Sequence, residues 1–100
     1  MRITEEEQRA IVETAREHFG PDCKVILFGS RAHNDRKGGD TDLMIDTPRD
    51  GDWARAQKTG FLVDLKQRIG DRRIDVVVRA GDSTQKTVYQ VADAEGILLR

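Results

Sequence analysis

Residues 24–46 read KVILFGSRAHNDRKGGDTDLMID. Val25, Ile26, Leu27 and Phe28 are four consecutive apolar residues, which predicts a strand over Cys23–Gly29 covered on both faces. Gly29-Ser30 follows as a turn, and Ser30-Arg31-Ala32 can open a short helical turn. Residues 33–39 are polar, end in two glycines and read as a loop. A second strand is predicted over Asp40–Asp46. So short a link makes the two strands antiparallel neighbours, because a parallel pair needs a longer crossover. Strand side chains alternate faces, so Asp40 and Asp42 point the same way, with Met44 and Asp46. Thr41, Leu43 and Ile45 point the other way. Two carboxylates so close repel unless a cation or a proton lies between them.

The rest of the chain supplies layers for this pair of strands. Thr4 and Glu7 form a capping-box pattern, and Ile11, Ala15 and Phe19 recur behind it with Val12, predicting a helix over about Thr4–His18 that Gly20-Pro21 ends. Trp53, Phe61, Leu62, Leu65 and Ile69 predict one helix over residues 53–69, with Gly60 its weak point and Gly70 its stop. A third strand covers Arg72–Arg79. A further helix falls over residues 84–95, with Asp82 or Ser83 as its cap. GILLR closes the chain as a short strand or tail. The order is that of a small α/β (α+β) domain with helices packed on a mixed sheet, read as one domain over residues 1–100.

Composition narrows the function. The 17 basic and 18 acidic residues leave a net charge of −1, which is not the footprint of a general nucleic-acid binder. One cysteine, Cys23, excludes a disulfide framework within the chain and a cysteine-based zinc site. His18 reads as a helix C-terminal residue and His33 as an exposed loop residue. No apolar run has the length of a membrane span, and the N-terminus has no apolar signal-peptide core. The expected location is the cytoplasm.

A third acid, Asp75, is followed by three valines. If its strand lies beside Asp40–Asp46, three carboxylates share one patch of sheet. Mg²⁺ takes oxygen ligands, commonly one or two carboxylates plus substrate phosphates. One or two such ions stabilise attacking and leaving oxygens in nucleotidyl transfer, and a further carboxylate can act as base. Gly29 lets backbone approach a phosphate, Ser30 offers a hydroxyl, and Arg31, Arg36 and Lys37 can neutralise a triphosphate. Taken singly, Gly-Ser is a turn, Asp-x-Asp a solvated strand start, Asp75 an ion-pair partner of Arg72 or Arg73, and Asp46 the end of a strand. Their joint occurrence in this order, each at a strand boundary, favours a site.

Gly29-Ser30, nine residues, Asp40-x-Asp42-Leu43 and then Ile74-Asp75-Val76-Val77 resemble the signature of the DNA polymerase β-like nucleotidyltransferase superfamily. With KVILFGSRA and VADAEGILLR, the chain resembles its minimal nucleotidyltransferases (MNT), common partners of helical HEPN-type proteins in toxin–antitoxin modules. The resemblance implies a nucleotidyltransferase fold, with Asp40, Asp42 and Asp75 as catalytic metal-binding carboxylates and Gly29 and Ser30 on the triphosphate. It implies transfer of a nucleoside monophosphate, AMP from ATP, to a tyrosine hydroxyl of a HEPN-type toxin. The alternative is a non-catalytic antitoxin that neutralises its partner by complex formation. A third reading, transfer to a small hydroxyl compound, is disfavoured by the absence of a second domain. Two positions depart from the family pattern: Thr41 replaces an apolar residue, and Gly39 replaces a serine. The chain runs only a short way past Asp75, so the acceptor surface is expected from a partner chain or a homodimer.

Overall fold

A computed structural model describes residues 3–29 and 41–100. The elements are α1 (Glu5–Phe19), β1 (Lys24–Phe28), β2 (Thr41–Asp46), α2 (Gly51–Ala56), α3 (Lys58–Ile69), β3 (Ile74–Arg79), α4 (Thr87–Glu95) and β4 (Ile97–Leu98). One mixed sheet has the order β3-β2-β1-β4. β1 runs antiparallel to both β2 and β4, and β2 runs parallel to β3. The α2–α3 segment is the crossover that a parallel pair requires.

The N-terminus of α1 forms as its sequence indicates. Thr4 Oγ1 accepts from the Glu7 N–H at 3.0 Å, and Glu7 Oε1 accepts from the Thr4 N–H at 2.9 Å. This reciprocal pair satisfies two backbone donors that the helix itself leaves free. Burial tends to raise the Glu7 pKa, but the Thr4 N–H and the charge and hydrogen bond of Arg72 outweigh it and hold the carboxyl below its ordinary value.

The sheet buries both faces. Val25 and Leu27 of β1 join Leu43 and Ile45 of β2, Ile11, Ala15 and Phe19 of α1, and Phe61 and Leu65 of α3 in the main core. The opposite face carries a smaller cluster in which Met44 packs with Tyr89 and Ala92 of α4, flanked by Ile26, Phe28 and Val77. The unbroken apolar run at Val25–Phe28 follows from this double coverage. Each fully buried Leu or Phe contributes about 1.5–3 kcal/mol relative to exposure.

The single helix predicted over residues 53–69 is two helices. Asp50 caps α2 through the Trp53 N–H at 2.9 Å. The Gln57 N–H bonds back to the Ala54 and Arg55 carbonyls, tightening the last turn of α2 before α3 starts. Buried Ala54, Phe61 and Leu65 stay in helical phase across this break, so apolar spacing alone cannot reveal it. Gly60, the predicted weak point, lies inside α3 where an added Cβ would meet His18 at 3.3 Å. α4 begins later than predicted, at Thr87, with Lys86 at its N-cap and no side-chain cap. Asp82 instead accepts from the Gly51 N–H at 2.8 Å, at the start of α2. Among the described residues no helix is long and apolar enough to cross a membrane.

Candidate active site

The candidate site lies at one end of the α4-facing side of the sheet. Phe28 pairs with Asp42, and Asp42 pairs with Asp75, so these three residues form one row across β1, β2 and β3. Pairing in register puts the two carboxylates on the same face of adjacent strands, whose backbones run about 4.8 Å apart. The next row is Ile26, Met44 and Val77, an apolar floor covered by α4. The third row is Lys24, Asp46 and Arg79.

The two ends of this face differ in what fills them. Asp75 is exposed and Asp42 half-buried, so the first row is open to a ligand at β3. At the other end Arg79 bonds Asp46 at 2.8 Å and Asp93 of α4 at 2.7 Å. Those hydrogen bonds, first to Asp46 and then to Asp93, push the Arg79 pKa up. Asp46 is therefore an ion-pair partner of Arg79 as well as the end of its strand. This clamp, with the Tyr89 hydroxyl donating to the Val78 carbonyl at 3.0 Å, anchors α4 to the sheet away from the acids.

Gly29 has a specific reason to be glycine. Its φ is +73°, in the left-handed region, and an added Cβ would lie 2.2 Å from Asp42 Oδ2. The carboxylate thus occupies space that only a glycine leaves open. Gly29 and Asp42, thirteen positions apart in the sequence, form one local arrangement.

The predicted site residues Ser30, Arg31 and Asp40 lie outside the described residues, as do His33, Arg36 and Lys37. Among the described residues no three of His, Cys, Asp and Glu gather as a cation site. Of the predicted acids, Asp42 and Asp75 are brought together. Asp75 makes no ion pair with Arg72, which binds Glu7 instead.

The singletons have structural surroundings. His18 Nε2 lies 3.1 Å from Asp64 Oδ2. That hydrogen bond, followed by the charge of Arg68, outweighs burial and holds the Asp64 pKa below its ordinary value. Cys23 is buried, and burial pushes its thiol pKa up. Arg49 stacks 4.8 Å above the half-buried Trp53 ring. Sequence reading passed over Arg55, Lys58 and Lys86, which line a groove with Val76–Val78 and Tyr89. Lys58 and Lys86 carry a sequence signal only as basic residues where helix N-termini favour acids, whereas Arg55 lies in the last turn of α2, where a cation is ordinary.

A family model for the nucleotidyltransferase domain matches residues 8–94. The chain belongs to the nucleotidyltransferase domain family. The matched span contains Gly29, Asp42 and Asp75, and the four-stranded mixed sheet with packed helices is consistent with a nucleotidyltransferase fold. The family points to nucleotidyl transfer as the general chemistry, in agreement with the polymerase β-like resemblance. No curated protein matches the chain.

Proposed function

We propose that the chain is an Mg²⁺-dependent nucleotidyltransferase that moves AMP from ATP to a hydroxyl, the acceptor being a tyrosine of a helical HEPN-type partner, and that it acts as an antitoxin. The observation that carries the chemistry is the in-register pairing of Asp42 with Asp75 on one face, with Gly29 cradling the Asp42 carboxylate. Two hard oxygen donors on adjacent strands, one of them exposed, suit a cation that completes its shell with substrate phosphates.

In this reading Asp40, Asp42 and Asp75 hold one or two Mg²⁺ ions, which lower the cost of charge developing on the phosphate oxygens. Gly29, Ser30 and Arg31 hold the triphosphate. The acceptor hydroxyl oxygen attacks the α-phosphorus, and the bond from that phosphorus to the bridging oxygen breaks. Pyrophosphate leaves, and the hydroxyl proton passes to the Asp75 carboxylate. The half-buried Asp42 has fewer positions open to it than the exposed Asp75, which suits Asp42 to orientation and Asp75 to proton transfer.

The test incubates the protein with α-³²P-labelled ATP, Mg²⁺ and a helical HEPN-type protein encoded beside it. Label on the partner, lost in Asp42→Asn and in Asp75→Asn, supports the reading. No transferred label, with both variants still neutralising the partner, would replace it with a binding antitoxin.

A further inference from the structure

Among the described residues β3 is an edge of the sheet, paired with β2. Its backbone alternates in direction. The Arg73 carbonyl accepts from the Thr41 N–H at 3.1 Å, and the Arg79 carbonyl accepts from the Thr47 N–H at 3.0 Å. Odd-numbered residues of this segment therefore turn toward β2, and Ile74, Val76 and Val78 turn outward. The Val78 carbonyl receives the Tyr89 hydroxyl. The Ile74 and Val76 backbone groups have no protein partner among the described residues, one residue to either side of Asp75.

Beside this open edge lies a groove of about 230 Å³, lined by Val76–Val78, Tyr89, Arg55, Lys58 and Lys86. Its cations come from both sides of the sheet: Arg55 from α2, Lys58 from the start of α3, Lys86 from the N-cap of α4. Neither α3 nor α4 has an acid in its first turn, whereas α1 has three there. A lysine at a helix N-terminus opposes the helix dipole, so Lys58 and Lys86 sit where fold stability favours the opposite charge. Neither lysine has an ion pair among the described residues. Arg55 is paired with Asp52 at 3.0 Å, so the groove joins free strand hydrogen-bonding groups and apolar walls with the unpaired charge of Lys58 and Lys86.

We infer that the outer edge of β3 is where the acceptor docks, as an extended acidic polypeptide segment added to the sheet alongside Ile74–Val78. Backbone pairing supplies affinity, the lysines select acidic flanking side chains, and the added strand runs past Asp75. A second copy of this chain is disfavoured, because β3-to-β3 pairing brings two sets of Lys58 and Lys86 together. This inference rests on the transferase reading for what the docked segment is used for, but the docking itself requires neither ATP nor Mg²⁺.

The test uses fluorescein-labelled Glu-Glu-Val-Tyr-Val-Glu-Glu and fluorescence anisotropy without ATP or Mg²⁺. The peptide binds the wild type, and Lys58→Glu/Lys86→Glu weakens binding by about tenfold, with reduced salt dependence. Both substitutions put an acid at a helix N-terminus, and circular dichroism checks that the fold is kept. On the unaltered protein, N-methylation of alternate peptide amides abolishes binding in one phase and spares it in the other. The inference is overturned if the wild type does not bind the peptide, if the lysine variant binds it equally, if neither methylation phase matters, or if oligothymidylate occupies the groove in its place. Peptide binding without label transfer to the partner leaves the docking edge and removes the transferase reading. Transfer to the partner unaffected by the lysine substitutions does the reverse.

Discussion

Gly29→Ala separates a backbone cost from a carboxylate cost. At φ +73° a residue with a Cβ loses about 1–2 kcal/mol relative to glycine. In a domain of this size each kcal/mol lowers Tm by roughly 4–8 °C, so the backbone cost alone predicts a fall of roughly 4–16 °C. The added Cβ also lies 2.2 Å from Asp42 Oδ2, and an ordinary contact begins at 3.4 Å. The carboxylate must therefore move by about 1 Å, a displacement that can cost roughly a hundredfold in rate at a catalytic group. Thermal unfolding followed by circular dichroism reads the first cost, and label transfer from ATP reads the second. Asp42→Ala provides the internal control. In that background the contacts at 2.2 and 3.1 Å are gone and the Cβ of residue 42 lies at an ordinary 3.4 Å, so Gly29→Ala retains the backbone cost and loses the extra penalty. Equal destabilisation in both backgrounds would show that the close approach of Asp42 to Gly29 carries no energy. An unchanged Tm in the wild-type background would refute the left-handed backbone argument as well.

Four further substitutions test the frame around the site. Thr41 is buried, and its hydroxyl has no partner among the described residues. Thr41→Val should therefore stabilise the protein by about 1 kcal/mol, read as a higher denaturation midpoint in urea; an unchanged or lower midpoint means the hydroxyl is satisfied. Arg79→Met removes the partner of both Asp46 and Asp93 and should cost about 1–3 kcal/mol, more than Asp93→Asn, in the same urea titrations. Glu7→Gln keeps a capping side chain but loses the charge facing Arg72. Because the folded-state pKa of Glu7 lies below its ordinary 4.5, the stability it adds is present above that value and lost as pH falls through the folded pKa. The Tm gap between Glu7→Gln and wild type should be present at neutral pH and close in acid; a gap constant with pH would exclude the charge as its source.

The fold was legible where one local rule dominated. Thr4 and Glu7 announced the start of α1, and the Val25–Phe28 run announced a strand with two covered faces. The Asp42–Asp75 pairing was legible only as a condition, because no local pattern states which strand neighbours which. Alternation supplied the face of each acid, and the crossover topology supplied the proximity. The break at Gln57 was not legible, since Ala54, Phe61 and Leu65 keep the same helical phase on both sides of it. The destination of Asp82 was hidden for a different reason. Its N–H partner on Gly51 lies far away in sequence, so a cap was recognisable but the helix it serves was not. Arg55, Lys58 and Lys86 are spread over three helix ends, and only the fold gathers them.

The parallel pairing of β2 with β3 also makes the site sensitive to error in assembly. Ile74 and Val76 point into the main core, while Asp75 points to the other face. Sliding β3 by a single residue would drive Asp75 into the hydrocarbon interior and expose the two aliphatic neighbours. No partly slipped form can therefore carry a partly assembled carboxylate pair. The same aliphatic alternation that proofreads the sheet proofreads the chemistry, and a folded molecule with its core filled already has its two acids aligned.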